Sequence, residues 1–275
     1  MIVHLLLTGT LAVAGLMLLL WLIHLPLKNA AIVDAGWAGG LAILAVLYAA
    51  TGGGYWARST MIGVMASVWG VRLGLYLLIT RIIGHPEEGR YQELRRQWKT
   101  NIPLKFLGFF EFQALLCVLL SGPFLFAAIN PAPALSPFEY AGATLWCVAI
   151  IGEILADAQL ARFKANPANR GKLCDIGLWN YSRHPNYFFE SMIWFAYAVF
   201  ALASPWGWIG LLSPALILYF LLKVTGIPAT EAQALRSRGD AYRRYQQTTS
   251  MFIPWFPKKT PPKKLPPNQS PPNQP

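Results

Sequence analysis

Long apolar runs separated by short polar connections dominate the chain. Stretches of at least ~17 apolar residues can cross a bilayer, and seven fall at roughly 2–24, 31–50, 60–83, 106–128, 138–160, 187–203 and 207–226. In lipid only a helix satisfies every backbone N–H and C=O within one segment. The pattern therefore predicts an all-α fold, an integral membrane bundle of seven transmembrane helices, with the sixth the shortest. Gly52-Gly53-Gly54 reads as a plain turn. Beyond the seventh run, Glu231 to Tyr245 predicts an interfacial helix, with Leu235 and Tyr242 apolar among arginines. Met251-Phe256 would dock at the membrane surface. From Pro257 onward, prolines, lysines and a repeated Pro-Pro-Asn-Gln predict an extended, disordered tail. The organisation is thus one transmembrane domain over 1–256 and a Pro-rich tail over 257–275.

Charge orients the bundle. The connections at 84–105 and 161–186 and the segment after 227 carry most of the lysines and arginines, whereas 51–59, 129–137 and 204–206 together hold only Arg58. Positive residues flanking membrane spans stay on the cytoplasmic side, so the N-terminus is expected outside and the C-terminus in the cytoplasm. With 55% hydrophobic and 13% charged residues, against ~25% charged for soluble domains, this is a multi-pass membrane protein, of the inner membrane if bacterial. The net charge of +11 follows from the loops and does not point to nucleic acid. Cys117, Cys147 and Cys174 form no pair spacing or metal motif, and no metal site is expected. The N-terminus has neither a basic leader nor a small-residue cleavage site, so the first run reads as a retained span. No dinucleotide fingerprint or phosphate-binding loop appears.

Polar residues inside the spans carry the candidate chemistry. Asp34, Arg72, Glu111, Gln113, Glu153, Asp157, Asn186 and Glu190 nearly all fall in the cytoplasmic half. Ionisable groups there cost a few kcal/mol each on insertion scales and normally face a cavity or a partner. Pairing between helices, for instance Arg72 with Asp34, is the bland account; the clustering at one depth beside basic loops favours a cavity open to the cytosol. The densest polar stretch is Gly177-Leu178-Trp179-Asn180-Tyr181-Ser182-Arg183-His184-Pro185-Asn186-Tyr187-Phe188-Phe189-Glu190. Pro185 suits the first turn of a helix, so a loop should end at His184. Asn186 and Glu190 would then share one face, with Arg183 and His184 at an N-terminus that favours anions. The alternative is a juxtamembrane loop with a snorkelling arginine.

This stretch resembles the signature of a membrane superfamily that includes steroid 5α-reductases, sterol reductases and isoprenylcysteine carboxyl methyltransferases. Ile32-Val33-Asp34-Ala35-Gly36-Trp37 and Trp69-Gly70-Val71-Arg72-Leu73, followed by Arg90-Tyr91, are similar to its bacterial steroid 5α-reductase-like branch. Glu231, Gly239, Tyr242, Tyr245 and Ile253-Pro254 match the superfamily's C-terminal pattern. Phe189 departs from it, standing where the branch usually has glycine.

The resemblance implies a catalytic domain that holds NADPH on the cytoplasmic side. Asp157, Lys164, Lys172, Asn186, Glu190, Lys223 and Glu231 fall where family members contact the cofactor; Tyr181, Arg183, His184 and Tyr187 join this set from the central motif. Lysines and arginines can pair with phosphates, while Asp157, Asn186 and Glu190 suit ribose hydroxyls or a carboxamide. The expected reaction is that of a 3-oxo-5α-steroid 4-dehydrogenase-like reductase, which reduces the C=C bond of a lipophilic, steroid-like enone. Negative charge then builds on the substrate carbonyl and needs a donor. The family uses an acid on span two and a tyrosine on span three. Asp34 is the only acid on span two, Trp69 occupies the tyrosine position, and Tyr76 is the substitute, with Arg72 beside them. The protein is expected to act as a monomer among membrane lipids. An S-adenosylmethionine-dependent methyltransferase and a non-catalytic lipid-binding protein are the alternatives.

Overall fold

The computed structural model describes residues 1–258, so the predicted tail lies outside the described residues from 259 onward. Among the described residues every named element is helical, and a single Ser182–Ser250 bridge is the nearest approach to a sheet. The elements are α1 (Ile2–Leu27), α2 (Ile32–Thr51), α3 (Trp56–Leu77), α4 (Gly89–Trp98), α5 (Ile102–Leu120), α6 (Gly122–Ala128), α7 (Pro137–Ala165), α8 (Leu178–Tyr181), α9 (Pro185–Ala201), α10 (Leu212–Tyr219), α11 (Ile227–Arg238) and α12 (Asp240–Thr248). π-helical turns extend α3 over Leu78–Ile82 and α10 over Phe220–Val224.

Among the described residues six helical segments are long and apolar enough to cross a membrane: Ile2–Leu27, Ile32–Thr51, Trp56–Ile82, Ile102–Leu120, Pro137–Ala165 and Gly207–Arg238. The predicted sixth span is present as α9, but at 17 residues it reaches only about 25 Å at 1.5 Å per residue. The predicted span 106–128 divides at Ser121, where Gly122-Pro123 starts a separate short helix. Proline cannot donate into the preceding turn, so the break falls at the residue that sequence periodicity alone runs through. The last span stops at Gly226, whose φ of −85° and ψ of −97° leave the helical region, and α11 starts a new direction. Gly239, at φ 52°, divides the expected interfacial helix into α11 and α12.

The closest helix pairs are α7 with α9 and α2 with α3. Both contacts rest on glycine. A Cβ at Gly70 would stand 2.6 Å from the Ala38 carbonyl oxygen, and one at Gly142 2.8 Å from that of Ala196; small residues let helix backbones meet in this way. Between them lies an aromatic core of Trp37, Trp69, Phe124, Trp194 and Tyr197, largely edge-to-face, the arrangement ring quadrupoles favour. Phe189 covers Gly152 on α7, where an added Cβ would meet its ring. The departure from glycine at 189 is thus matched by a glycine across the interface.

At the opposite end of the bundle, Ser136 and Glu139 form a capping box on α7. Glu139 also pairs with Arg58, and that guanidinium donates to the carbonyls of Asn130, Ala132 and Ala134. The one charge in the predicted outer loops is therefore fully buried and internally satisfied.

Candidate functional site

The central motif folds as a strap. Gly177, at φ 58°, turns the chain after α7, and Gln159 Oε1 accepts from the Leu178 N–H. After one turn of α8 the chain extends, and Pro185 opens α9 as expected. Arg183 points the other way from that expectation. Its Nε donates to Glu231 Oε1 at 2.7 Å, and Nη1 donates to the carbonyls of Gln246 and Thr249. His184 Nε2 lies 3.3 Å from the same Glu231 oxygen, and Gln246 Nε2 donates to the other at 2.9 Å. Burial alone would raise the Glu231 carboxyl, which sits on α11 past the last span; the His184 and Arg183 bonds outweigh it and hold the group down at about 2. Burial and the Glu231 charge push the Tyr242 hydroxyl up to about 12. Arg183, His184 and Glu231 therefore form a clamp that fastens the C-terminal segment, with Arg183 N–H on Ser250 O, Ser182 Oγ on Phe252 O and Trp255 N–H on Tyr181 O. The free anion-binding cation read at the α9 N-terminus is corrected: its donors are already used.

Deeper in the bundle, α3, α7 and α9 bring four ionisable side chains together. Arg72 Nη1 donates to Asp157 Oδ2 at 3.3 Å, and Nη2 stands 2.5 Å from Glu153 Oε1. Asn186 Nδ2 reaches Asp157 Oδ1 at 3.5 Å. Glu190 accepts from Trp69 Nε1 and Trp194 Nε1, each at 2.9 Å. Asn186 and Glu190 do share a face, as the i, i+4 spacing predicts. Arg72 Nε and Glu153 Oε2 are buried without hydrogen-bond partners. Native interiors leave few such atoms, so the cluster has capacity for a polar group.

Toward its C-terminal end α7 carries Lys164, seven residues beyond Asp157, about 10 Å along the axis. A cavity of about 120 Å³ there is lined by Lys164, Arg170, Lys172 and Arg238 with Asn169 and Cys174. It holds four cations and no carboxylate, is large enough for a phosphate group and is smaller than sites that enclose a whole ligand. Lys223 is exposed on the π-turn after α10. Tyr187 stacks on His184, with ring centroids 5.5 Å apart, and its hydroxyl is 3.4 Å from Thr230 Oγ1. Tyr181 is exposed beside Phe256.

The expected catalytic trio does not assemble. Asp34 pairs with Arg90 and accepts from the Tyr91 hydroxyl at 2.8 Å, which joins α2 to α4. Arg72 turns to α7 instead of Asp34. The Tyr76 hydroxyl makes no hydrogen bond among the described residues. Sequence reasoning passed over Trp69 and Trp194 as donors, since an indole in an apolar run looks like core. It also missed Arg170 and Arg238, whose only signal was the general excess of loop cations.

These features define a multi-helical membrane protein with a deep polar cluster and a cationic cavity along one helix. The chain belongs to the family described as "Protein of unknown function (DUF1295)", whose model matches residues 20–249; that family is related to steroid 5α-reductase-like membrane proteins. No curated protein and no solved structure matches the chain.

Proposed function

We propose that the protein is a membrane reductase that uses NADPH to reduce the C=C bond of a lipophilic enone such as a 3-oxo-Δ4-steroid. The observation that carries this reading is the stripe along α7. Glu153, Asp157, Leu160 and Lys164 follow the i, i+4, i+7, i+11 spacing of one helix face, with buried hydrogen-bonding groups at one end and the four-cation cavity at the other. That gradient suits a long ligand with a polar, uncharged end and a phosphate-bearing end. The bound cofactor would supply hydride. Lys164, Arg170, Lys172 and Arg238 would hold its phosphates, and Asp157 and Asn186 its ribose or carboxamide. A methyl donor without phosphate leaves the four cations unused, which favours the reductase over the methyltransferase.

The same reading adds α9 as the sixth of seven spans, tilted little because of its length, with the N-terminus outside and the cluster open to the cytoplasm. Substrate would enter from the lipid, and the protein would act as a monomer. Thermal-shift titration of the purified protein with NADPH, NADH and S-adenosylmethionine tests the choice. NADPH should stabilise most, since it alone adds a 2′-phosphate; stabilisation by S-adenosylmethionine alone would overturn the proposal.

A further inference from the structure

A second cavity, of about 340 Å³, lies between the end of α12 and the segment that follows it. Its lining is divided: Thr248, Thr249 and Ser250 give a polar wall, and Met251, Trp255 and Phe256 an apolar one. Lys258 stands at the edge, its backbone N–H donated to Thr248 O. Arg183 also reaches the lining, but its guanidinium is paired with Glu231. Lys258 is therefore the cation there without a counter-charge among the described residues, and no carboxylate lines the cavity. Thr249 is 6% exposed, yet neither its hydroxyl nor that of Ser250 makes a hydrogen bond among the described residues. Buried polar groups normally have partners, and these stand ready for an acceptor beside a cation. The apolar wall continues outward, with Trp255 69% and Phe256 75% exposed. Phe252 packs on Phe188 in the first turn of α9. The strap that holds this segment rests in turn on α7, where Gln159 Oε1 and Ala156 O accept from Leu178 N–H and Trp179 Nε1. Since α7 is long and apolar enough to cross a membrane, the exposed rings stand beside the end of a candidate span. Tryptophan is favoured at that level, between water and lipid.

We propose that this cavity binds one anionic phospholipid of the surrounding membrane. The lipid phosphate takes Lys258 and the hydroxyls of Thr249 and Ser250, and the acyl chains run past Trp255 and Phe256 into the bilayer. Both walls are then used. A free phosphate would occupy the polar wall alone and leave the rings in water. A zwitterionic headgroup would bring an ammonium to a wall that already holds an uncompensated cation. The volume is at the lower end of pockets that enclose a small molecule, enough for a glycerophosphate headgroup whose chains stay in the membrane. Beyond Lys258 the sequence adds Lys259, Lys263 and Lys264, a basic run of the kind that anionic lipid surfaces attract. The site is independent of the reductase chemistry.

The test uses the full chain in nanodiscs of phosphatidylcholine mixed with phosphatidylglycerol. The variants are Lys258→Ala and Thr249→Val, with Arg236→Ala as control, since it removes a cation from α11 outside the cavity. Native mass spectrometry of protein released from the discs should show one phosphatidylglycerol retained in preference to phosphatidylcholine. Retention should fall ~5-fold in Lys258→Ala, the worth of one lysine at an anionic lipid surface. It should fall as well in Thr249→Val, which keeps the side-chain shape and the carbonyl that Arg183 uses, while Arg236→Ala should match the wild type. Hydrogen exchange over 249–256 should slow when phosphatidylglycerol is added to phosphatidylcholine discs, and Lys258→Ala should abolish most of that slowing. Lys258 is exposed, so its loss should leave exchange in α7 and α9 unchanged. Equal retention of the two lipids, or an effect of the cavity variants no greater than that of Arg236→Ala, would overturn the proposal. Inorganic phosphate in lipid-free detergent that slows exchange as much as phosphatidylglycerol does would mark a free-anion site and overturn it too. None of these readouts involves NADPH, so they stand or fall apart from the reductase reading.

Discussion

Replacing Glu231 with glutamine tests the clamp that fastens the C-terminal segment to the strap before α9. The carboxylate takes Arg183 Nε and Nη2, both at 2.7 Å, together with His184 and Gln246. Glutamine preserves the shape but leaves the Arg183 guanidinium, 8% exposed, without a counter-charge. Breaking a buried pair in this one-sided way costs about 3–5 kcal/mol. The 15% exposure of Glu231 admits water and reduces the figure to about 2.5 kcal/mol by solvent screening. At about 1.4 kcal/mol per decade, the open population of the segment should rise ~10²-fold. Hydrogen exchange read by mass spectrometry should show this as lost protection at the Arg183 and Trp255 amides, which donate to Ser250 O and Tyr181 O, while the transmembrane helices stay protected. Asp240→Asn provides the control: its pair with Arg243 is exposed on both sides and contributes almost nothing. Unchanged exchange at the Arg183 and Trp255 amides in Glu231→Gln would refute the clamp.

Acid should open the same segment in the wild-type protein. The folded Glu231 carboxyl is depressed from its ordinary 4.5 to about 2, so its contribution is complete above pH 4.5 and is lost as pH falls toward 2; protection of the Arg183 and Trp255 amides, taken relative to the intrinsic exchange rate at each pH, should fall accordingly. Trp69→Phe removes one of the two indole donors to Glu190, a bond to a charged group and so about 1.5–3 kcal/mol. It should lower thermal stability and NADPH affinity together, and a loss of stability alone would make Trp69 purely structural. Asp34→Asn should leave NADPH affinity within about twofold, since Asp34 bonds to Arg90 and Tyr91 and not to the cluster. Its damage should appear as looser docking of α4, measured by proteolysis between 84 and 101; a large fall in turnover with α4 still protected would restore Asp34 to catalysis.

Much of the fold is legible in the chain because apolar length and loop charge are local properties. The seven predicted runs all become helix, and Pro185 starts α9 where expected. Lengths are read less well: Gly122-Pro123 divides a run whose hydropathy is continuous, and α9 is shorter than a full bilayer crossing. Partners within the bundle are least legible. Sequence depth puts Arg72, Asp34 and Asp157 at similar levels, but which side of α3 faces α7 depends on glycine contacts such as Gly70 on Ala38. Arg183 is the sharpest case. A cation beside a helix N-terminus reads as an anion site, and only the folded position of Glu231, 48 residues away, reveals that its charge is already paired. Trp69 and Trp194 show the converse, apolar by composition yet polar by the single N–H each presents to Glu190.

The central claim is hydride transfer from NADPH to a lipophilic enone. The direct measurement is incubation of the purified full chain with NADPH deuterated at the nicotinamide C4 and a 3-oxo-Δ4-steroid, followed by mass spectrometry of the product. The account predicts a saturated ketone carrying one deuterium at the former β-carbon, with a second hydrogen at the α-carbon drawn from solvent. Product without deuterium, or a methylated steroid formed only when S-adenosylmethionine is added, would contradict it.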